Sequence, residues 1–180
     1  MPSSLSTEPD YIVLRQLGLV ELRRYLPFVV AEVVVDQPPA KAIDQAFPIL
    51  SAYISGHSAA TESAKAGLKL EMNAPVTQFS GAGGQWVQFV LPRGTALAAV
   101  PKPLDERVRL RELGPQEMAV IHFSGFWSEA SYHEHLSTLK TALRAAGLAW
   151  TGEPVHARYN APFTPWFKRR TEVWLKLAAR

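Results

Sequence analysis

Apolar and polar residues follow one order along the chain, and that order occurs twice. Tyr11–Leu17 has β-type composition. Val20–Val35 is rich in Val, Leu and Tyr, is interrupted by Pro27, and reads as one or two strands. Pro38–Pro39 then opens a helical pattern over Ala40–Ser55. In it Ile43, Ala46, Phe47, Leu50, Tyr53 and Ile54 recur at i, i+3, i+4 and i+7 spacing. Gly56 is placed to end the helix in the left-handed conformation. Pro48 should kink the helix or split off its first turns. After the polar loop His57–Gly67, Leu68–Met72 and Val76–Phe79 read as strand segments flanking Asn73, Ala74 and Pro75. Trp86–Leu91 follows as a strand after a flexible turn, Ser80–Gln85.

The second set begins with the strand-like stretch Val108–Phe123. Ser131 followed by Glu134 is a capping-box pattern. The helix it opens runs to about Ala146, with Tyr132, Leu136, Leu139 and Leu143 on one face and Gly147 as its stop. Ala149–Tyr159 and Thr171–Leu177 are the later strands. The two sets keep register. MNAPVT (Met72–Thr77) and YNAPFT (Tyr159–Thr164) are offset by 87 residues, and Val20/Val108, Leu22/Leu110, Arg23/Arg111, Pro27/Pro115 and Ala31/Ala119 by 88. Coincidence does not usually hold one offset across separate tracts. Two copies point to one domain of two related halves, not to a solenoid. The expected fold is α+β, a duplicated strand-helix-strand-strand unit whose mostly antiparallel sheet is partly covered by two helices. The domain should span 11–180, with halves of about 20–92 and 108–178, after a flexible tail at 1–10.

Composition narrows the chemistry. Of 180 residues, 47% are apolar and 19% charged, an ordinary globular balance. There is no cysteine, which excludes disulfides, thiolate nucleophiles and thiolate-held metal or haem. The net charge of +3 gathers partly in Lys168, Arg169, Arg170, Lys176 and Arg180. That tract lacks the dense stripe and recognisable module of a nucleic-acid footprint, so no nucleic-acid partner is expected. No apolar run is long enough to span a membrane, and MPSSLSTEPDY lacks the apolar stretch of a signal peptide. A cytoplasmic location is the expectation. No nucleophile elbow, P-loop, dinucleotide fingerprint or HExxH occurs. The Gly-rich Gly81–Gln85 leads into no helix and so lacks a phosphate-cradling context.

Several tracts together resemble the SOUL/haem-binding protein family: YIVLRQLGLVELRRY, LKLEMNAPVTQF, QWVQFVLP, PKPLDERVRL, MAVIHFSGFW and YNAPFTPWFKRRTEVWL. The resemblance covers residues 11–178. It implies a distorted, mostly antiparallel barrel with two helices, akin to gyrase-inhibitor-like effector-binding domains. It also implies a ligand site between the first helix and the loop before the last strand. On this chain those are Phe47, Leu50, Tyr53 and Ile54, then Phe163, Trp166 and Phe167. Haem further needs cations near its propionates and usually an axial ligand. Lys168 and Arg170 are the candidate cations, with Arg169, Lys41 and Arg24 as substitutes. Animal members close to the SOUL type have a His where this chain has Arg24, so His57, just past the helix stop, is the candidate ligand to iron.

Three functions follow. The leading one is a haem or tetrapyrrole carrier, buffer or sensor whose partner is the small molecule itself. The second is an effector-type pocket for another apolar or cationic ligand, with hydrolase activity centred on Glu172 if burial raises the pKa of its carboxyl. The third is a protein-interaction module. No residue is assigned a catalytic role.

Overall fold

The computed structural model describes residues 8–62, 64–125, 127–160 and 168–180. Its elements are, in chain order, β1 (Tyr11–Leu17), β2 (Val20–Tyr25), β3 (Phe28–Val35), α1 (Pro39–Ile54), β4 (Ser58–Ala59), β5 (Val76–Gly81), β6 (Gly84–Val90), a short 3-10 turn (Leu97–Ala99), β7 (Lys102–Pro103), β8 (Arg109–Leu113), β9 (Gln116–Phe123), α2 (Glu129–Ala145), β10 (Trp150–Arg158) and β11 (Thr171–Leu177). They form two compact units. One comprises Met1–Asp10 with Pro27–Gly114, the other Tyr11–Leu26 with Pro115–Arg180.

In the first unit the antiparallel sheet runs β5-β6-β3-β8, and β4 pairs separately with β7. Alternation along β3 sends Val29, Ala31, Val33 and Val35 to one face, where they pack with Val87 and Phe89 of β6. On that face lie Ala42, Ala46, Leu50, Tyr53 and Ile54 of α1. Each large side chain so buried contributes about 1.5–3 kcal/mol. Pro48 does not split α1. Proline removes the bond to the carbonyl four residues earlier. That carbonyl belongs to Asp44, and both residues are exposed, so water can satisfy it.

The tract expected to be a flexible turn is a tight hairpin. Gly81 pairs with Gly84 across a loop of Ala82 and Gly83. Gly84 has φ +130°, and a Cβ there would stand 2.4 Å from the Val35 carbonyl oxygen, so the position admits only glycine without displacement. Leu68–Met72, expected as a strand, forms none. Leu70 N–H is taken by the Ile54 carbonyl, and Leu68 and Met72 are largely exposed.

In the second unit the order is β1-β2-β9-β11-β10. Val20, Leu22, Ala119, Ile121, Val173 and Leu175 face Leu136, Leu139 and Leu143 of α2. The true N-cap of α2 is Ser128, whose side chain accepts from Ser131 N–H at 3.0 Å, one turn before the expected Ser131 box. Neither sheet closes on itself.

Consecutive strands β2 and β3, separated by Leu26 and Pro27, do not pair with each other. β2 pairs with β9 and β3 with β8. The two pairings share one register. Leu22 opposes Ala119, and Ala31 opposes Leu110; Tyr25 opposes Gln116, and Phe28 opposes Leu113. Shifting either pairing by 88 residues produces the other. The first unit's sheet thus takes β8, and the second unit's sheet β1 and β2, from the opposite stretch of sequence.

Candidate functional site

On β2 and β11 the residues between the α2-facing positions point to the other side of the sheet. They are Arg23 and Tyr25 on one strand, Glu172 and Trp174 on the other, and all are buried. The Glu172 carboxylate accepts from Arg23 Nη1 at 3.0 and 3.1 Å and from Arg170 Nη2 at 2.8 Å. The Tyr159 hydroxyl and Trp174 Nε1 each donate to it at 2.7 Å. Arg23 also reaches Glu21 at 2.7 Å and the Tyr25 hydroxyl at 3.0 Å, and it lies 4.2 Å above the Tyr11 ring.

Burial alone would raise the Glu172 carboxyl, but the charges of Arg23 and Arg170, with hydrogen bonds from Tyr159 and Arg170, outweigh it and hold the group below the ordinary carboxylate range. Burial, reinforced by the Glu172 charge, pushes the Tyr159 and Tyr25 hydroxyls up, so both remain donors. The condition for Glu172 to act as a general base, a raised pKa, is not met. Both its oxygens are engaged. A buried carboxylate among aromatic rings attracts a cation, and here two arginines of the same chain fill that role.

A different arrangement lies at the end of α1. A groove of about 570 Å³ is lined by Pro48, Ile49, Ala52 and His57, with Asp105 and Arg107 on its other side. The face of α1 that carries Leu50, Tyr53 and Ile54 is turned to the sheet, so these three lie in the apolar cluster at 0%, 1% and 7% exposure. The Tyr53 hydroxyl donates to the Pro101 carbonyl at 2.8 Å. Phe47 is half-exposed, edge-on to Phe89 at 5.2 Å. Gly56 ends the helix and leaves His57 exposed at the groove, with no hydrogen bond to its imidazole among the described residues. Asp105 accepts from Arg107 at 2.7 Å, and that contact lowers its carboxyl to about 2. The groove therefore offers an apolar floor, one ligand-type side chain and a charge-balanced rim.

Lys168 is exposed, and Arg170 is committed to Glu172. Phe163, Trp166 and Phe167 lie outside the described residues. Sequence reasoning singled out Arg24, which pairs on the surface with Glu117 at 2.7 Å, and passed over its neighbour Arg23, the buried one. Strand alternation from Val20 and Leu22 was the available signal. It also passed over Ile49, Ala52 and the Asp105–Arg107 pair.

The comparisons with known proteins bear on this geometry. "Heme-binding protein 1" of Mus musculus is 29% identical over 150 residues, covering 79% of this chain and 75% of that protein. Among solved structures, the EcmrR C-terminal domain matches with a TM-score of 0.62 at 10% identity, over 89% of this chain and 98% of that one. A hydrolase from Listeria innocua matches at 0.58 and 14% identity, over 96% and 93%. At such identities the likeness is one of fold alone. A family model described as "SOUL heme-binding protein" matches residues 6–176, nearly the whole chain, and the protein belongs to that family.

Proposed function

We propose that this protein binds haem or a closely related tetrapyrrole, and that the groove at the end of α1 receives it. The observation that carries this reading is the exposed His57 imidazole, with no hydrogen bond among the described residues, beside the apolar side chains of Pro48, Ile49 and Ala52, in a chain of this family. A flat macrocycle can lie along Pro48, Ile49 and Ala52. Neutral imidazole is a good ligand for iron, whereas guanidinium is not, so His57 rather than Arg24 would hold the metal. Because Arg107 is already neutralised by Asp105, the carboxylates of a bound tetrapyrrole would be left mainly to solvent. Haem would supply iron-centred binding of small ligands or electron transfer. The protein's own part is to shelter one face and to fix the imidazole.

The test is titration with haem followed at the Soret band. Saturable one-to-one binding is expected. His57→Ala should shift the band and weaken binding about tenfold, which is about 1.4 kcal/mol. Ile49→Glu, which places a carboxylate on the apolar floor, should weaken it further. Haem uptake that both variants leave unchanged would place the ligand elsewhere; uptake no tighter than that of unrelated carrier proteins would end the reading.

A further inference from the structure

β1 ends the sheet of the second unit. It pairs with β2 on one side and with no described strand on the other, so its outer edge presents backbone N–H and C=O groups for pairing. Sheet edges are commonly blunted by charge, proline or a bulge. The end strand of the first unit, β8, is blunted by charge, with Arg109, Arg111 and Glu112 among its five residues. β1 reads YIVLRQL and carries one charge, Arg15. Its apolar run Ile12, Val13 and Leu14 is 52%, 51% and 40% exposed. The bulge between Val13 and Arg15 blunts the edge only beyond Val13 and leaves Tyr11–Val13 open.

The register of β1 on β2 fixes which side chains share a face. Ile12 stands opposite Arg24 and Arg15 opposite Leu22, so the bulge brings Arg15 to the face of Ile12. Without it Arg15 would lie on the face of Tyr11 and Val13. Two copies of this edge can pair antiparallel about a two-fold axis through Ile12. Ile12 then faces its own counterpart, and Tyr11 faces Val13 of the second copy on either side. Beyond them Asp10 of one copy reaches the bulged stretch Leu14–Arg15 of the other. The Asp10 carboxylate remains half-exposed beside its partner Arg93, so opposite charges meet at both flanks and like charges nowhere. An axis one residue later would set Tyr11 against Arg15, which the bulge has moved to the opposite face.

We propose that β1 pairs with β1 of a second copy of this chain in a symmetric dimer. Five strands from each copy then make one sheet of ten. The partner is the chain itself because the edge complements itself, in apolar side chains at the axis and in charge at the flanks. The contact uses Asp10–Arg15 of each copy, far less than the about 20–30 residues a side of a stable interface. The dimer is therefore weak, with a Kd of about 10–100 μM. Haem binding is not required for it.

Sedimentation equilibrium of the full chain up to about 1 mM measures this. A monomer–dimer equilibrium is expected. Ile12→Lys sets two ammonium groups against each other at the axis and should weaken dimerisation at least about tenfold. Arg15→Glu puts like charges at both flanks and should weaken it about threefold. Circular dichroism checks that both variants fold. The chain has no cysteine, so an introduced one reports proximity. Ile12→Cys should oxidise to a covalent dimer, because paired Cβ atoms lie about 4.5–5.5 Å apart. Leu19→Cys, at a more exposed position, would lie roughly 40 Å from its counterpart and should stay uncoupled. If Ile12→Lys unfolds, Arg15→Glu and the two cysteine variants still decide. A chain that is monomeric to about 1 mM leaves the edge to a different partner and overturns the proposal. So does a dimer that folded Ile12→Lys and Arg15→Glu leave unchanged, or one that Leu19→Cys captures as readily as Ile12→Cys.

Discussion

Arg23 and Arg111 occupy corresponding positions 88 residues apart, and each forms an ion pair with a buried glutamate, yet the two pairs are not alike. The Arg23 side chain is 3% exposed and its partner Glu172 0%. Arg111 is 50% exposed, and its partner Glu32, which also accepts from Gln88 at 2.7 Å, is 5%. Position on the sheet is shared. What differs is the acid's strand, β11 in one case and β3 in the other, and the surroundings that come with it. In the second unit aromatic rings enclose the pair; in the first, a ladder of polar side chains, Thr77 to Gln88 to Glu32, spans β5, β6 and β3. The same residue type in the same register becomes a structural clamp in one place and a half-solvated brace in the other. A resemblance between two tracts therefore carries backbone geometry more faithfully than it carries function.

The sharpest way to break this comparison is to neutralise each acid. Glu172→Gln leaves Arg23 buried with its charge uncompensated, and should cost about 3–5 kcal/mol. Glu32→Gln leaves an arginine that can turn to water, and should cost about 1 kcal/mol. Denaturant unfolding measures both. Equal costs would mean that exposure does not separate the two pairs.

The two hairpin glycines form a second contrast. Gly18, between β1 and β2, has φ +60° and open space where a Cβ would stand. Gly18→Ala should cost about 1–2 kcal/mol, for the left-handed backbone alone. Gly84→Ala adds a collision with the Val35 carbonyl and should cost about 3 kcal/mol. The same unfolding series reads both.

Acid sensitivity should also concentrate in the second unit. Burial and the nearby Arg158 lower the His156 imidazole from 6.5 to about 3. A folded-state pKa below the unfolded one gives stability that is full above pH 6.5 and is lost as pH falls toward 3, because the unfolded chain takes up the proton first. Between pH 7 and 5 this group alone should remove about 2 kcal/mol. Glu172, also lowered, adds a second loss that begins near its ordinary 4.5 and grows below it. His156→Gln should flatten the decline between pH 7 and 5 and leave the one below 4.5. Urea midpoints at pH 7, 5 and 4 distinguish the two groups. A wild-type midpoint that does not move between pH 7 and 5 would show that His156 is not held neutral.

Much of the fold was legible because it rests on local pattern. The limits of β1, β11 and α1 and the end of α2 follow from periodicity, prolines and glycine stops, though the start of α2 does not, and the 88-residue offset anticipated a register that β2–β9 and β3–β8 repeat. The site was less legible, for a physical reason. Periodicity shows that Leu50, Tyr53 and Ile54 share a face of α1, but not whether that face meets a sheet or a ligand. Hydrophobicity is the same signal in both cases. The exposed position of His57 at the groove was legible because it follows a helix stop, a local feature. Glu172 stood out as a charge within an apolar strand, but its four donors come from β2, β11 and the residues just after β10 and just before β11, a meeting that no single tract announces. Leu68–Met72 failed as a strand because its apolar spacing had no partner edge to pair with.

The helix starts give the smallest and most local version of the contrast. α2 begins with Ser128, whose oxygen satisfies one of the orphan N–H groups of the first turn, with Glu129 just inside to complement the dipole. α1 begins after Pro38, which offers no side-chain cap, and relies on Pro39 to preset the first helical turn. Ser128→Ala should therefore cost about 1 kcal/mol. In α1 the mirror experiment, Pro38→Ser, adds a cap but releases conformational freedom to the unfolded chain, so the gain should be only a few tenths of a kcal/mol or nothing. If Ser128→Ala proves neutral while Pro38→Ser stabilises by 1 kcal/mol or more, the α2 cap is redundant and α1 is the helix whose start limits stability.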